Sequence, residues 1–177
     1  MMMKYLPHQY FLMKKTVNIY MKIIDNFLPQ EEFNKIQNII MGEQFNYFYK
    51  NYVTSPEDTD YFYFAHELYK DNVPQSDYIN LLQPLFTKLK ILSLIRAKVN
   101  CFPRTEKLIK YGKHVDKTFK HKGAIFYINT CNGGTYVKDK FIKSVANRML
   151  LFDSSKAHQS TNCTDEKCRF NININYF

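Results

Sequence analysis

The sequence lacks a long apolar run, an internal repeat and any tryptophan, and it holds only five glycines in 177 residues. No segment approaches the ~20 consecutive apolar residues of a membrane-spanning helix, which argues against a membrane protein. The basic N-terminus has neither a proper apolar core nor a small-residue cleavage site, so we also reject a signal peptide. The sequence from Met21 onwards is typical of the start of a domain. We therefore interpret residues 1–16 as an N-terminal extension, with a misassigned start as the alternative, and residues 17–177 as one domain.

Cysteine is also scarce. Four cysteines are too few and too scattered for a disulfide scaffold: Cys101, Cys131, Cys163 and Cys168. Cys163 and Cys168 bracket the tetrapeptide TDEK and resemble half of a zinc site, but no second pair completes it. Reduced thiols in a cytoplasmic protein are the better interpretation.

Positive charge is in excess, with a formal net charge of +9. Between residues 104 and 169, eleven lysines and three arginines face six acids. Such a surface is compatible with a nucleic acid, an acidic partner or a small anionic substrate. A solvated lysine face is the commoner outcome, so nucleic acid stays open only as a secondary partner.

Helical patterns come early in the chain and strand patterns dominate later. Apolar residues at helical spacing predict helices over 27–41 and 76–90, and Pro84 should kink or split the second. Alternating or aromatic stretches predict strands over 17–25, 45–53, 59–68, 94–102, 122–129, 133–139, 148–154 and 169–177. This order predicts an α+β fold, mainly β: an antiparallel sandwich or barrel with the helices packed on one sheet.

A group of chemically reactive residues spans the second half. His114 and Asp116 lie in KYGKHVDKTF, and His158 follows 44 residues later. Two imidazoles and one carboxylate form the facial triad of non-haem Fe(II) oxygenases, which leaves open metal positions. On an extended strand, residues two apart project to the same side, so His-x-Asp can chelate. Arg169 adds a planar fork for a second carboxylate, such as the distal one of 2-oxoglutarate.

The order of these segments resembles the Fe(II)- and 2-oxoglutarate-dependent dioxygenases, especially the prolyl-4-hydroxylase-like branch. YGKHVDK is similar to that branch's Y-x-x-H-x-D motif, and NRMLLFDSSKAHQST to its Arg-led strand with the distal histidine. AIFYIN, NGGTYV and CRFNININYF are similar to its following strands and turn. The likeness covers residues 94–177 and implies a double-stranded β-helix, or jelly roll, with N-terminal helices packed on one sheet.

The resemblance implies a role for each matching residue. His114, Asp116 and His158 would bind Fe(II) and thereby carry catalysis. Arg169 would pair with the C5 carboxylate of 2-oxoglutarate, and dioxygen would be the second cosubstrate, with ascorbate as an optional reductant.

Three further positions match with less specificity. Tyr127 falls where hypoxia-type prolyl hydroxylases place a tyrosine that hydrogen-bonds the same carboxylate, and Asn173 where they have a threonine near the cosubstrate. Tyr111 matches the motif tyrosine, with core packing as an equal alternative. Phe102 replaces an active-site tyrosine of that branch. Asn175 stands where nucleobase-repair members carry a second arginine, which argues against a nucleic-acid demethylase.

The resemblance predicts hydroxylation of a C–H bond, foremost on a protein or peptide side chain. Two alternatives stay open. One is a small-molecule or nucleic-acid hydroxylase on the same iron site, and the other is a non-catalytic jelly-roll binding module.

Overall fold

The computed structural model describes residues 21–57 and 59–177. The predicted extension 1–16 and the first part of the predicted strand 17–25 lie outside the described residues. The domain boundary at residue 17 therefore stays a prediction. Among the described residues, no helix is long and apolar enough to cross a membrane.

The first helix, α1, spans Gln30–Ile40. It begins after Pro29, whose carbonyl accepts the Phe33 N–H at 3.0 Å. Proline suits this position because the first N–H groups of a helix have no intrahelical partner. Phe33, Ile36 and Ile40 form its buried side.

The second helical segment is split, as Pro84 predicts. A 3-10 helix spans Asp77–Leu82 and continues into α2, Gln83–Leu89, with Pro84 in the first turn of α2. Proline lacks an N–H, so it fits where a new helix begins but not inside a longer one. α2 ends at Leu89, and Lys90 after it adopts a left-handed conformation with φ 53°.

Within residues 21–57 and 59–177, eleven strands make two antiparallel sheets. The strands are β1 (Met21–Ile24), β2 (Phe48–Lys50), β3 (Tyr63–Lys70), β4 (Val73–Pro74), β5 (Leu94–Pro103), β6 (Lys122–Tyr127), β7 (Gly134–Val137), β8 (Lys140–Lys143), β9 (Arg148–Asp153), β10 (His158–Ser160) and β11 (Cys168–Tyr176). The main sheet has the order β1-β9-β6-β11-β5-β3-β2, with β4 paired to β3, and the minor sheet has the order β10-β7-β8. This architecture confirms the predicted mainly β, jelly-roll class. The predicted strand 45–53 is reduced to β2, and β4, β8 and β10 were not predicted.

The main sheet has one apolar face and one polar face. Ala97 and Val99 of β5 and Ile172 and Ile174 of β11 pack, fully buried, in the core that the helices cover. Residues between them, such as Asn173, point to the other side because side chains alternate along a strand. The predicted packing of the helices on one sheet is confirmed, and the polar face is available to form a ligand-binding site.

Candidate metal and cosubstrate site

A cavity of about 560 Å³ lies on the polar face of the main sheet. Both sheets line it: Arg96, Lys98 and Asn173 come from the main sheet, and Thr135 and His158 come from the minor sheet. This volume is in the range of small-molecule sites.

The three predicted metal ligands converge in this cavity. A nitrogen of His114, a nitrogen of His158 and a carboxylate oxygen of Asp116 all lie within 4.8 Å of one another. The two histidine backbones pair with each other, with N···O distances of 3.1 and 3.0 Å, and the Asp116 N–H donates to the Ser154 carbonyl at 3.2 Å. The segment around His114 forms isolated bridges rather than a regular strand. Instead, backbone pairing between this segment and β10 aligns the two histidine side chains.

His158 has the hydrogen bonds of a metal ligand. Its Nδ1 lies 3.0 Å from the Lys156 carbonyl, which can only accept, so Nδ1 carries the proton. Nε2 is then unprotonated and carries a free lone pair. It is buried without a hydrogen-bond partner and lies 3.7 Å from Asp116 Oδ2. A buried acceptor in this state fits a cation, because ligating histidines commonly donate their other N–H to a carbonyl or carboxylate.

Asp116 is held by donors on three sides. Arg96 Nη2 donates to Oδ1 at 2.6 Å, Asn175 Nδ2 donates to Oδ2 at 2.9 Å, and the Ser154 hydroxyl also donates to Oδ2. Burial alone would raise the pKa of Asp116, but the Arg96 charge, the neighbouring His158 and the Ser154 and Asn175 donors together outweigh burial and lower this pKa well below its ordinary value. The carboxylate is therefore ionised and oriented before any cation binds. Arg96 and Ser154 were missed by sequence reasoning.

His114 is also kept ready to bind a metal. Burial, and next the neighbouring His158, lower its pKa from 6.5 to about 4. A metal binds only the neutral imidazole, so this shift favours ligation at neutral pH.

Arg169 lies wholly buried behind the cavity wall. Its Nε donates to the Thr161 carbonyl at 2.8 Å, and its Nη2 donates to the Ser160 hydroxyl. The guanidinium carbon lies 4.7 Å from the centre of the Phe102 ring, so the residue that replaces the expected tyrosine supplies a cation–π contact. Nη1 is buried without a partner. A buried guanidinium N–H with no acceptor fits an incoming carboxylate.

The three less specific positions differ in placement. Asn173 lines the cavity, and its Oδ1 is buried without a partner. Tyr127 is fully buried against the minor sheet and donates weakly to the Ile142 carbonyl at 3.4 Å; burial raises its pKa to about 12. Tyr111 stacks on Phe102 at 5.7 Å and does not line the cavity.

Thr135, which sequence reasoning missed, lines the cavity with a buried, unpartnered hydroxyl.

No protein-family model matches the sequence, and no curated protein matches it either. Solved structures do match. The chain is similar to a prolyl hydroxylase from Trichoplax adhaerens, solved with a hypoxia inducible factor peptide, at 17% identity and a TM-score of 0.64 over 91% of this chain and 84% of that one. It is also similar to a 2OG-Fe(II) oxygenase family oxidoreductase from Burkholderia pseudomallei, at 10% identity and a TM-score of 0.63 over 89% and 85% of the two chains.

The chain has the fold of the 2OG-Fe(II) oxygenases. A non-haem α-ketoglutarate-dependent epimerase from nogalamycin biosynthesis shares this oxygenase fold at 11% identity, with a TM-score of 0.61 over 89% of this chain and 77% of that one. The predicted likeness is confirmed at the level of the fold, and it extends beyond residues 94–177 into the first half of the chain. At these identities the likeness carries the fold alone, so the activity depends on the site itself.

Proposed function

We propose that this protein is an Fe(II)- and 2-oxoglutarate-dependent dioxygenase that hydroxylates a C–H bond. One observation carries the proposal. The buried, unpartnered Nε2 of His158 meets His114 and the ionised Asp116, while Arg169 holds an unpartnered N–H behind the same cavity. These groups match a divalent cation and a carboxylate, respectively.

The protein's own residues would prepare the reaction. His114, Asp116 and His158 would hold the metal on one side and leave its other positions open. Arg169 would orient the distal carboxylate of 2-oxoglutarate from a site closed to water. Bound iron would supply the activation of dioxygen, with 2-oxoglutarate converted to succinate and carbon dioxide and the substrate C–H to C–OH. The cavity walls would exclude bulk water from the reacting groups.

We propose a protein or peptide side chain as the leading substrate. The matching prolyl hydroxylase was solved with a peptide fragment, which supports this class. A small-molecule substrate is the second candidate, because the fold is shared with an epimerase of nogalamycin biosynthesis. Lysines at the cavity, including Lys50 and Lys98, would suit an anionic group on either substrate. Nucleic acid remains a weaker alternative on the same grounds.

Further roles are proposed on narrower support. Asn173 would contact the cosubstrate, since its free Oδ1 faces the cavity. Tyr127 would hydrogen-bond the same carboxylate as Arg169, whose charge acts on its hydroxyl. Tyr111 would act by packing beneath Phe102. A cytoplasmic location, supported by four free cysteines, and ascorbate as a reductant stay predictions.

Metal analysis and cosubstrate turnover test the proposal. The protein loaded with Fe(II) should hold one iron at this site and form succinate slowly from 2-oxoglutarate without a substrate. Asp116→Ala should lose both the iron and the turnover, whereas Asp139→Ala, an exposed acid on the β7–β8 turn, should lose neither. Unchanged iron content in Asp116→Ala and His114→Ala would rule out the site.

The cosubstrate and the substrate need separate measurements. Arg169→Ala should raise the 2-oxoglutarate concentration needed for half-maximal turnover, and an unaltered requirement would exclude Arg169 from the cosubstrate site. Candidate peptides and small molecules are then incubated with the loaded enzyme, and a product heavier by one oxygen identifies the substrate. Steep salt-dependent retention on DNA would instead favour a nucleic acid.

A further inference from the structure

A second group of metal-binding atoms lies outside the cavity. The thiols of Cys131 and Cys163 and a carboxylate oxygen of Asp165 lie within 4.8 Å of one another. Both thiols are buried, and Asp165 is exposed. Cys168, which with Cys163 brackets TDEK, is instead hydrogen-bonded to Cys101. The partner of Cys163 thus comes from a loop 32 residues upstream, which spacing alone did not indicate.

The two loops that carry these groups are fastened together by hydrogen bonds. Asn132 N–H donates to Asp165 Oδ1 at 2.9 Å, and its side chain exchanges two bonds with Thr164, at 2.6 and 2.9 Å. A Cβ at Gly133 would lie only 1.9 Å from the Asn162 carbonyl oxygen, so glycine allows the loops to approach. The three ligand groups are therefore assembled before a metal binds, and little ordering is needed at that step.

The charge of the surroundings suits an anionic metal complex. Two thiolates and a carboxylate with a divalent cation carry a net charge of −1. Arg169, wholly buried, lies close enough to act on both thiols and to oppose the rise in their pKa. Burial still raises the pKa of Cys163 to about 12, so without a metal this thiol stays protonated. Metal binding would release these protons and give the buried Arg169 a counter-charge.

We propose that Cys131, Cys163 and Asp165 form a second metal site that binds Zn(II), with a solvent molecule as the fourth ligand. Two soft sulfur ligands select zinc over the harder cations, and tetrahedral coordination accepts thiolate and carboxylate together. The exposed side of Asp165 leaves the fourth position open to water. The site does not depend on the proposed oxygenase function, because its ligand residues and donor atoms are different and only the charge of Arg169 acts on both sites.

Cobalt substitution tests the site in the full-length protein. The metal-free protein, kept reduced with a non-chelating phosphine, is titrated with Co(II) and then with Zn(II). Thiolate ligands give cobalt an intense near-ultraviolet sulfur-to-metal band that histidine and carboxylate ligands cannot produce. We expect two cobalt ions per chain and this band, which Zn(II) then removes. His114→Ala should lose one ion and keep the band, and Cys131→Ser should lose one ion and the band.

Two more variants complete the test. Cys101→Ser removes a buried cysteine of the other pair and should keep the band and both ions. Asp165→Asn, at an exposed position that should still fold, should weaken zinc binding at least about tenfold, the loss typical even of an outer-shell partner. Absence of the thiolate band in the reduced wild-type protein overturns the proposal. So does a band that survives in folded Cys131→Ser, or an unchanged zinc affinity in Asp165→Asn. The His114→Ala titration tests metal binding at the proposed iron site separately.

Discussion

The two faces of the main sheet differ in chemistry although the same strands build both. On β11, Ile172 and Ile174 are fully buried in the core beneath the helices, whereas Asn171 and Asn173 line the cavity. On β5, Val99 and its cavity-facing neighbour Asn100 repeat this contrast. Strand alternation separates the tasks, so that the helix-covered face stabilises the fold and the cavity face is left to bind ligands.

The difference extends to hydrogen bonding. Among the described residues, eight buried side-chain polar atoms lack a partner, and six of these belong to residues that line the cavity. An unpartnered buried polar atom costs about 1–3 kcal/mol. The cavity face is therefore less stable than a fully paired face would be, and bound ligands that satisfy these atoms should stabilise the protein.

Truncating the helix-covered face should have the largest effect. Phe126 packs edge-to-face against Phe27 and Phe33, with ring centres 6.1 and 5.9 Å apart. Phe126→Ala removes these contacts and leaves a cavity, so the free energy of unfolding should fall by about 3–5 kcal/mol. Asn173→Ala on the cavity face, the matched control, should change it by less than about 1 kcal/mol. Denaturant unfolding measures both, and equal losses would contradict the division between the faces.

Removing a charge from the cavity face should have the next largest effect. Arg96→Ala leaves the buried Asp116 carboxylate with only the Ser154 and Asn175 donors. We expect the metal-free protein to lose about 2–3 kcal/mol of stability, because an uncompensated buried charge is costly. Arg104→Ala, an exposed arginine at the end of the same strand region, is the control and should be near neutral. If both variants unfold alike, the Arg96–Asp116 pair does not stabilise the native state.

The helix-covered face was the part that sequence reasoning predicted best. Apolar periodicity predicted α1 and the stretch around Pro84, because helix and strand periods are local properties. The short β2 was overpredicted. Its residues Phe48 and Tyr49 are exposed at the sheet edge, and aromatic composition alone cannot distinguish an exposed ring from a buried one.

The cavity face was predicted only where a motif marked it. The proposed metal triad and Arg169 were predicted from the order of motifs, and the structure brings the triad together. Partners such as Arg96 were missed, because a contact between a strand and a distant loop depends on the tertiary fold, which no local pattern encodes. The strand 94–102 was predicted, but not that its Arg96 would meet Asp116.

Acid should destabilise the metal-free cavity face by a smaller amount. His114 has a pKa of about 4 in the native state against 6.5 ordinarily. Between these values the unfolded chain binds a proton that the native protein does not, so stability is complete above pH 6.5 and falls as pH decreases towards 4. With allowance for partial exposure, the loss is on the order of 1–2 kcal/mol. Denaturant unfolding of His114→Gln should show a shallower pH dependence, and identical slopes would exclude His114 as the cause.

The smallest effect on stability, and a direct one on reactivity, is expected at the edge of the helix-covered face. There, the partly exposed Cys168 accepts a hydrogen bond from buried Cys101, which lowers the pKa of Cys168 and raises that of Cys101. Since the thiolate is the nucleophile, iodoacetamide at neutral pH should label Cys168 first among the four cysteines. Mass spectrometry of the digested protein locates the label, and Cys168→Ser should abolish the fast phase of iodoacetamide labelling. Faster labelling of Cys101 would mean that the hydrogen bond runs in the opposite direction.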